Sequence, residues 1–428
     1  MEKIFSARLN CFIWMNLTIA LMISGCGQRT TLTPNANPAA SAQSETIRPV
    51  AIMHSPARVR DPELVILDKA KYPFAVCNDG SPAAYVFRRG LGAAASRWVI
   101  NLQAGGKCYD QDTCSTRAAR DPNVISSNPY RRDPSGALVL TGIQGTDPSA
   151  NPDFYDATQV QALYCSSDDW SGAKVARGKF NPNDDTTWNF QGHAILAAIL
   201  DDLKETRGLN DASEILFSGQ SAGGIGVFVT VNDVIKLVPR QARFLATSDA
   251  GFINRLDNFD AAGSPPNYTD SSTPNEEAQR ILGVALWNGS GDSICASRAI
   301  TIADKVGCYD AGKLLRPGGP ITLPMFVSQA EKDTAQLAFD GLSVDDPDHL
   351  TTAESGYVRY FAAHMRAQLA ATDNRVSIFS PDVFLHMETN DDTLLETPYA
   401  FPAGTVTLQH ALDAWYRNPY AVQRDIAP

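Results

Sequence analysis

A serine stands at the centre of the sequence Gly-Gln-Ser-Ala-Gly at residues 219–223, between two apolar segments. The apolar run 215–217 precedes it and the run 225–229 follows it, as expected for a buried strand that turns sharply into a helix. The two glycines would leave room for such a turn, and Ser221 would project from its tip. The pattern predicts a serine nucleophile that transfers an acyl group to water; the alternative is a glycine-rich turn that carries a surface serine.

A serine nucleophile needs a base, and the base needs an acid that orients it. His386 follows the last predicted strand, 376–379, where a loop could carry the imidazole to Ser221. Asp333 follows the predicted strand 321–327, and we expect it to be the acid. Asp340 and Asp382 are the alternatives for the acid. We expect the other histidines considered to have structural or surface positions; these are His193, His349, His364 and His410.

Hydrolysis of an ester also requires two backbone donors for the oxyanion that forms during attack. Ala222 would be the first residue of the helix after the nucleophile, where backbone N–H groups have no partner within the helix. The loop after the predicted strand 98–102 contains Gly106 and Lys107, and its backbone could supply the second donor. We therefore expect Gly106, Lys107 and Ala222 to line an oxyanion hole.

Short apolar runs alternate with helical patterns along the chain, and no repeat is present. This alternation predicts an α/β fold with a mostly parallel sheet and helices on both of its faces. Residues 106–158 are rich in Asp, Pro, Ser and Gly, which predicts a long loop insertion. An apolar face that includes Phe190 and Leu203 predicts a helix that begins after Asp184 or Asp185. The predicted strands are 98–102, 160–164, 215–217, 321–327 and 376–379.

The composition excludes some classes of function. The 428 residues are 44% hydrophobic, which is enough for a large core. The net charge is −11 and no basic tract occurs, so we expect no nucleic-acid partner. Neither a Cys-x-x-Cys pair nor a His-Glu-x-x-His helix is present, so we expect no zinc site. No sequence pattern indicates an oligomer interface, and we expect a monomer.

The N-terminus has the pattern of an export signal. Lys3 and Arg8 precede a short apolar segment, 11–23, and the sequence Ile-Ser-Gly-Cys that ends at Cys26 resembles a bacterial lipobox. We expect a signal peptide at 1–25, acylation of Cys26 and a disordered tether at 26–50, followed by one domain at 51–428. Because Gly27 follows the cysteine, we expect an outer-membrane lipoprotein; the alternatives are an ordinary secretory signal and a short membrane anchor.

Six further cysteines in an exported chain predict disulfide bonds. Cys108 and Cys114 are close in sequence, as are Cys295 and Cys308, which would leave Cys77 to pair with Cys165. Six cysteines allow fifteen pairings, so this set is a hypothesis.

An ordered set of segments resembles the pectin acetylesterase/Notum family of α/β-hydrolases. This resemblance runs from about residue 72 to 390 and is more specific than the serine motif alone. The matching segments are 77–85, 102–108, 164–172, 219–224, 248–252 and 333–337.

The resemblance implies a carboxylic ester hydrolase that needs no metal or other cofactor. It implies Ser221 as nucleophile, His386 as general base and Asp333 as its partner, and it agrees with the Cys77–Cys165 and Cys108–Cys114 pairings. Many family members have Trp where this chain has Lys107, and a common Glu-Gly is replaced by Gln-Ala at 103–104. Four residues of the matched segments are expected to contact substrate: Gly105, Asp168, Trp170 and Gly223.

These expectations favour a lipid-anchored enzyme that removes O-acetyl groups from a polysaccharide outside the cytoplasm. One alternative is a Notum-like or lipase-like deacylase that accepts longer acyl chains. Another is a non-catalytic carbohydrate-binding lipoprotein, against which the presence of Ser221, Asp333 and His386 argues.

Overall fold

The computed structural model describes residues 60–177, 187–260 and 275–428. The predicted signal peptide, Cys26 and the tether at 26–50 lie outside these residues and stay predictions. In the described part of the chain, no helix is both long and apolar enough to cross a membrane.

Nine strands form the central sheet of the described residues, in the order β1-β2-β4-β3-β7-β8-β9-β10-β13. All neighbours from β4 to β13 are parallel, and only β1 and β2 run antiparallel to their neighbours. The predicted α/β fold with a mostly parallel sheet is confirmed. The strands are β1 (Glu63–Ile66), β2 (Ala84–Arg88), β3 (Arg97–Leu102), β4 (Thr158–Ala162), β5 (Lys174–Arg177), β6 (Thr187–Phe190), β7 (Glu214–Gln220), β8 (Arg243–Asp249), β9 (Met325–Ser328), β10 (Val376–Ser380), β11 (Pro398–Phe401), β12 (Gly404–Thr407) and β13 (Arg424–Ile426).

Helices connect most of the parallel strands, and β5–β6 and β11–β12 form two separate antiparallel pairs. A π-helical turn, Leu203–Arg207, directly follows α3. The α-helices are α1 (Gln111–Arg120), α2 (Asn128–Arg132), α3 (Gly192–Asp202), α4 (Ala222–Leu237), α5 (Glu276–Trp287), α6 (Ser293–Ala296), α7 (Ile302–Gly307), α8 (Ala311–Leu315), α9 (Thr334–Phe339), α10 (Thr352–Ala370), α11 (Asp392–Glu396) and α12 (Leu408–Arg417).

Successive residues of the central strands point to opposite faces of the sheet, as the pleat requires. Ile100 and Phe217 belong to the large core beneath α3, α4 and α10, whereas their neighbours Val99 and Leu216 belong to a second core beneath α12. Burial on both faces explains why these strands are continuous apolar runs rather than alternating ones.

Two predictions about this architecture were incomplete or wrong. The insertion at 106–158 is not only loop, because it contains α1 and α2. The helix expected after Asp184 or Asp185 begins at Gly192, and Phe190 lies in β6. The buried carboxylate of Asp168 accepts a hydrogen bond from the Gly192 N–H at 2.8 Å, which fixes the start of α3 there. Asp184 and Asp185 themselves lie outside the described residues.

The structure contains all three predicted disulfide bonds, Cys77–Cys165, Cys108–Cys114 and Cys295–Cys308. Cys77–Cys165 ties the segment before β2 to the loop after β4. Cys108–Cys114 joins the loop after β3 to α1, next to the buried ring of Trp287.

The carboxyl ends of the parallel strands meet at one edge of the sheet, and the predicted site residues follow four of these ends. The loop with Gly106 follows β3, Ser221 follows β7, Asp333 follows β9 and His386 follows β10. This edge is where ligands bind in open α/β sheets.

Close packing between α4 and β3 makes Gly223 a test of this arrangement. A Cβ atom on Gly223 would lie 2.0 Å from the carbonyl oxygen of Leu102, a backbone atom that cannot move without shifting β3. Overpacking of this kind typically costs about 1–3 kcal/mol, and occasionally more. We therefore expect Gly223→Ala to lower the thermal unfolding midpoint or prevent folding. Gly136→Ala is the matched control, because a Cβ there meets no atom within 4 Å. Equal midpoints for the two variants would contradict this packing.

Candidate active site

The backbone at Ser221 is held in a conformation that residues other than glycine rarely adopt. Ser221 has φ 53° and ψ −119°, and it stands between the end of β7 and the first residue of α4. Such backbone strain typically costs about 1–3 kcal/mol and occurs mainly at functional sites. The neighbouring glycines permit it, because a Cβ on Gly219 would lie 2.3 Å from the carbonyl oxygen of Gly223. The predicted sharp turn is present, and it projects the serine from its tip.

His386 joins Ser221 to Asp333 through two short contacts. The His386 Nε2 atom lies 2.8 Å from Ser221 Oγ, and Nδ1 lies 2.8 Å from Asp333 Oδ1. Because a carboxylate only accepts hydrogen bonds, Nδ1 carries the proton in the neutral ring. The lone pair of Nε2 therefore faces the serine hydroxyl and can accept its proton.

Asp333 is completely buried, yet its two oxygen atoms have many donors. As the N-cap of α9, it accepts bonds from the backbone N–H groups of Ala335 and Gln336, both at 3.0 Å. The side-chain amides of Gln329 and Gln336 donate to its Oδ2 atom at 2.8 and 3.1 Å. These bonds fix the carboxylate in one orientation toward His386.

The surroundings of His386 favour its charged form. Burial lowers the pKa of the ring, but the charge of Asp333 and its hydrogen bond outweigh burial, and the pKa lies above its ordinary value. A further contribution comes from the carboxylate of Asp249. The ring can thus accept a proton and hold the resulting charge.

Asp249 is a further part of the site, and it was not among the site residues predicted from the sequence. Its carboxylate accepts bonds from the backbone N–H groups of Glu388 and Thr389, at 2.9 and 2.8 Å, and from the Thr389 hydroxyl at 2.8 Å. Its own carbonyl oxygen accepts a bond from the Ser221 N–H at 2.8 Å. Asp249 therefore connects the nucleophile turn with the loop that carries His386. Two features of the sequence could have indicated this role: Asp249 ends a strand, and it lies in the matched segment 248–252.

The other acids and histidines considered from the sequence have different partners. Asp382 contacts Lys332 at 2.8 Å, and His349 contacts Asp346 at 2.7 Å. Asp340 accepts a hydrogen bond from Tyr357, and burial raises its pKa to about 8. None of these three side chains forms a hydrogen bond or ion pair with Ser221 or His386, although Asp340 lines the same small cavity as they do. His193 lies on α3, His364 on α10 and His410 on α12.

The expected oxyanion hole residues border the same small space as the serine. Gly106, Lys107, Ser221 and Ala222 all line a cavity of about 30 Å³, which we call the inner cavity. Ala222 is the first residue of α4, so its N–H has no partner within the helix. Gly106 has φ 67°, a conformation that glycine adopts without strain. These backbone groups can therefore face an oxygen atom bound next to Ser221.

A much larger space adjoins the inner cavity. This outer cleft has a volume of about 890 Å³, and Ser221 and His386 lie on the wall that it shares with the inner cavity. Gly105 also lines the outer cleft, as expected for a residue that contacts substrate. Its lining combines charged side chains, among them Asp112, Arg117, Arg120 and Asp121, with apolar ones, among them Val139, Leu140 and Met387.

Three of the expected substrate contacts have structural positions instead. Asp168 is fully buried and accepts bonds from the Ser166 hydroxyl and the Gly192 N–H; burial raises its pKa to about 7. Trp170 is also fully buried, and its Nε1 atom donates to the Gln103 carbonyl oxygen at 3.2 Å. Gly223 packs on β3. Their role is to hold the loops beside Ser221, because none of the three lines either space.

The fold and this arrangement of Ser221, His386 and Asp333 define an α/β-hydrolase. The family model for pectinacetylesterases matches residues 56–427, which is most of the chain. The protein therefore belongs to the pectinacetylesterase family.

The relatives of this chain include enzymes that are named for two different kinds of substrate. The chain is 32% identical over 272 residues to human palmitoleoyl-protein carboxylesterase NOTUM, covering 62% of this chain and 50% of NOTUM. It is 32% identical over 203 residues to pectin acetylesterase 4 of Arabidopsis thaliana, covering 47% of this chain and 46% of that protein. The chain thus spans about half the length of these relatives.

A solved structure has the same fold. The Wnt deacylase Notum from Drosophila superposes with a TM-score of 0.69 at 23% identity, over 86% of this chain and 96% of that chain. At this identity the likeness concerns the fold alone.

The contact between Asp333 and His386 predicts a measurable change in proton affinity. Asp333→Asn keeps the shape of the side chain but removes the charge that stabilises imidazolium, so the pKa of His386 should fall below its ordinary value of about 6.5. An NMR titration of the histidine ring signals measures this, with the signal of His386 assigned by its loss in His386→Gln. An unchanged pKa in Asp333→Asn would contradict the contact. Asp382→Asn is the matched control and should leave the titration unchanged.

Proposed function

We propose that this protein is a serine carboxylic-ester hydrolase. The observation that carries the proposal is the unbroken chain of hydrogen bonds from Asp333 through His386 to Ser221. This chain ends at a serine whose strained turn exposes it to two adjoining spaces. Family membership and the carboxylesterase names of the relatives support the same class of reaction.

The first half of the reaction forms an acyl-enzyme. His386 Nε2 takes the proton from Ser221 Oγ while the oxygen attacks the ester carbonyl. The carbonyl oxygen gains a negative charge and is stabilised by the backbone N–H of Ala222 and by an N–H of the Gly106–Lys107 segment. The bond to the alcohol then breaks, His386 gives its proton to the departing alkoxide, and the acyl group stays on Ser221.

The second half repeats these steps with water. His386 removes a proton from a water molecule, whose oxygen attacks the acyl carbonyl. The second tetrahedral intermediate collapses, His386 returns the proton to Ser221 Oγ, and the free acid leaves. Asp333 keeps the proton on Nδ1 throughout and stabilises the imidazolium that forms twice per cycle.

The outer cleft favours a large polar alcohol as the leaving group. Its volume of about 890 Å³ can hold several sugar rings, the charged side chains of its lining can form hydrogen bonds to hydroxyl groups, and its apolar side chains can pack against the faces of the rings. A long acyl chain in this cleft would remove water from charged groups such as Arg117 and Asp121 without replacing their hydrogen bonds, which is unfavourable. We therefore propose an O-acetylated polysaccharide as the substrate.

A deacylase for long chains is the second candidate, because the protein is 32% identical to human palmitoleoyl-protein carboxylesterase NOTUM over 62% of this chain. The inner cavity argues against it. A water molecule needs about 10–15 Å³ of such space, so a cavity of about 30 Å³ suits a methyl group and not a fatty acyl chain.

The class of reaction is tested by hydrolysis of p-nitrophenyl acetate, butyrate, octanoate and palmitate, with Ser221→Ala as the inactive variant. We expect kcat/KM to be highest for acetate, and Ser221→Ala to lose at least about 10³-fold in kcat because only binding and the oxyanion donors remain. Ser218→Ala is the matched control, since Ser218 lies in β7 and contacts Asn101 instead. Full activity in Ser221→Ala would refute the mechanism, and a maximum at octanoate or palmitate would favour the second candidate.

The polymer is tested separately by measuring acetate released from acetylated pectin and acetylated xylan. Release that depends on Ser221 supports a polysaccharide substrate. Hydrolysis of p-nitrophenyl acetate without release from either polymer would contradict it and leave the reaction class intact.

A further inference from the structure

Part of the wall of the inner cavity is made of charged side chains. Ile225, Ala250 and Ile253 give the cavity an apolar portion that can receive a methyl group. Lys107 and Glu276, however, also line it. Most of the cavity surface is apolar, and charged side chains beside an apolar space lose water on burial, so the charged portion requires an explanation.

These charges belong to one continuous chain of ion pairs. The Lys107 Nζ atom lies 2.8 and 3.0 Å from the two carboxylate oxygens of Glu276. The same carboxylate accepts a bond from Arg280 Nη2 at 2.6 Å. The Nη1 atom of Arg280 in turn donates to Asp169 Oδ2 at 2.8 Å. We call these four side chains the ion-pair chain.

The ion-pair chain is almost completely removed from water. The exposed fractions are 6% for the side chains of Lys107 and Glu276, 2% for Arg280 and 1% for Asp169. Burial opposes ionisation of Glu276, but Lys107 and Arg280 outweigh it and lower the pKa of this carboxyl group. The chain therefore contains two cations and two anions, and this balance is what makes buried charges tolerable.

The four side chains of the ion-pair chain come from different segments of the fold and together form a rigid part of the inner cavity wall. Lys107 is adjacent to the expected oxyanion residue Gly106, and Glu276 is the first residue of α5. Asp169 belongs to the loop after β4, in which Asp169 and Trp170 have positive φ values of 52° and 62°. Three separate segments thus meet at the wall of the inner cavity and are joined by charge-assisted hydrogen bonds, and Lys107 also borders the outer cleft.

We propose that the ion-pair chain sets the length of the acyl group, so that acetyl is accepted and longer chains are excluded. The inference rests on the proposed ester hydrolase function and assigns its specificity to Lys107 and Glu276. A longer acyl chain would have to displace the Lys107 side chain and leave Glu276 without one of its two cations. Breaking one link of a buried, balanced set of charges is strongly unfavourable.

The test removes the boundary without leaving an unbalanced charge. In Lys107→Ala/Glu276→Gln, one cation and one anion are lost together, and Arg280 keeps its partner Asp169. The backbone N–H of residue 107 is also kept. We expect the ratio of kcat/KM for octanoate to that for acetate to rise at least ten-fold relative to the wild-type protein, because the cavity gains the volume of the lysine side chain.

Two control variants separate cavity size from charge and from general effects. Lys107→Met/Glu276→Gln removes the same charges but keeps an unbranched, flexible side chain of similar length that no ion pair holds in place. Its ratio should therefore also rise, but by less than in Lys107→Ala/Glu276→Gln, and a ratio equal to the wild-type value would show that side-chain size alone, and not the ion pairs, excludes longer chains. Lys236→Ala removes an exposed lysine that pairs with Asp233 at 3.0 Å and lines neither space, and it should leave the ratio unchanged. Titration of Ser221 with a fluorophosphonate counts folded active sites in every variant.

The outcomes distinguish this inference from the proposed function. Wild-type hydrolysis of acetate that depends on Ser221, with the same chain-length ratio in Lys107→Ala/Glu276→Gln, would overturn the role of the ion-pair chain and leave the function intact. A wild-type preference for octanoate would also overturn it. No hydrolysis of any ester and no labelling of Ser221 would refute the proposed function, and the inference with it.

Discussion

The site depends on the close approach of the turn at Ser221 to two neighbouring strands. Gly223 packs directly against the backbone of Leu102 in β3, and the Ser221 N–H bonds to the carbonyl oxygen of Asp249 at the end of β8. These contacts hold the serine at φ 53°, a conformation that the turn alone would not keep. The rest of the site is arranged around a nucleophile whose position is fixed by backbone packing rather than by its own side chain.

Buried carboxylates then perform three different tasks near this serine. Asp333 has four donors besides His386 and orients the imidazole, while Asp249 holds the backbone of the loop that follows His386. Glu276 is paired with two cations and forms part of the cavity wall. The tasks differ because the partners differ: backbone and amide donors fix a carboxylate in direction, whereas cations neutralise it and exclude an apolar ligand from its surroundings.

Much of this arrangement could be predicted from the sequence because it depends on local signals. The apolar strands, the glycine pattern around Ser221 and the chain order of Ser221, Asp333 and His386 are each visible within short segments. Contacts between distant segments could not be predicted in this way: Lys107 and Glu276 are 169 residues apart, and Asp249 and Thr389 are 140 residues apart. Asp168 and Trp170 illustrate the same limit, because their place in the matched segments suggested substrate contacts and only packing shows that they are buried. The contact between Gln336 and Asp333 could have been predicted, because Gln336 stands three residues after Asp333, which is the spacing of a helix capping pair.

In the proposed mechanism Ser221 carries the acyl group during turnover. It is tested most directly by mixing the protein with p-nitrophenyl acetate, stopping the reaction rapidly with acid and analysing the peptides by mass spectrometry. We expect one acetyl group on the peptide that contains Ser221, formed while p-nitrophenol is released and absent in Ser221→Ala. Turnover with no acetyl group on that peptide at any time, or with the group on another residue, would contradict it.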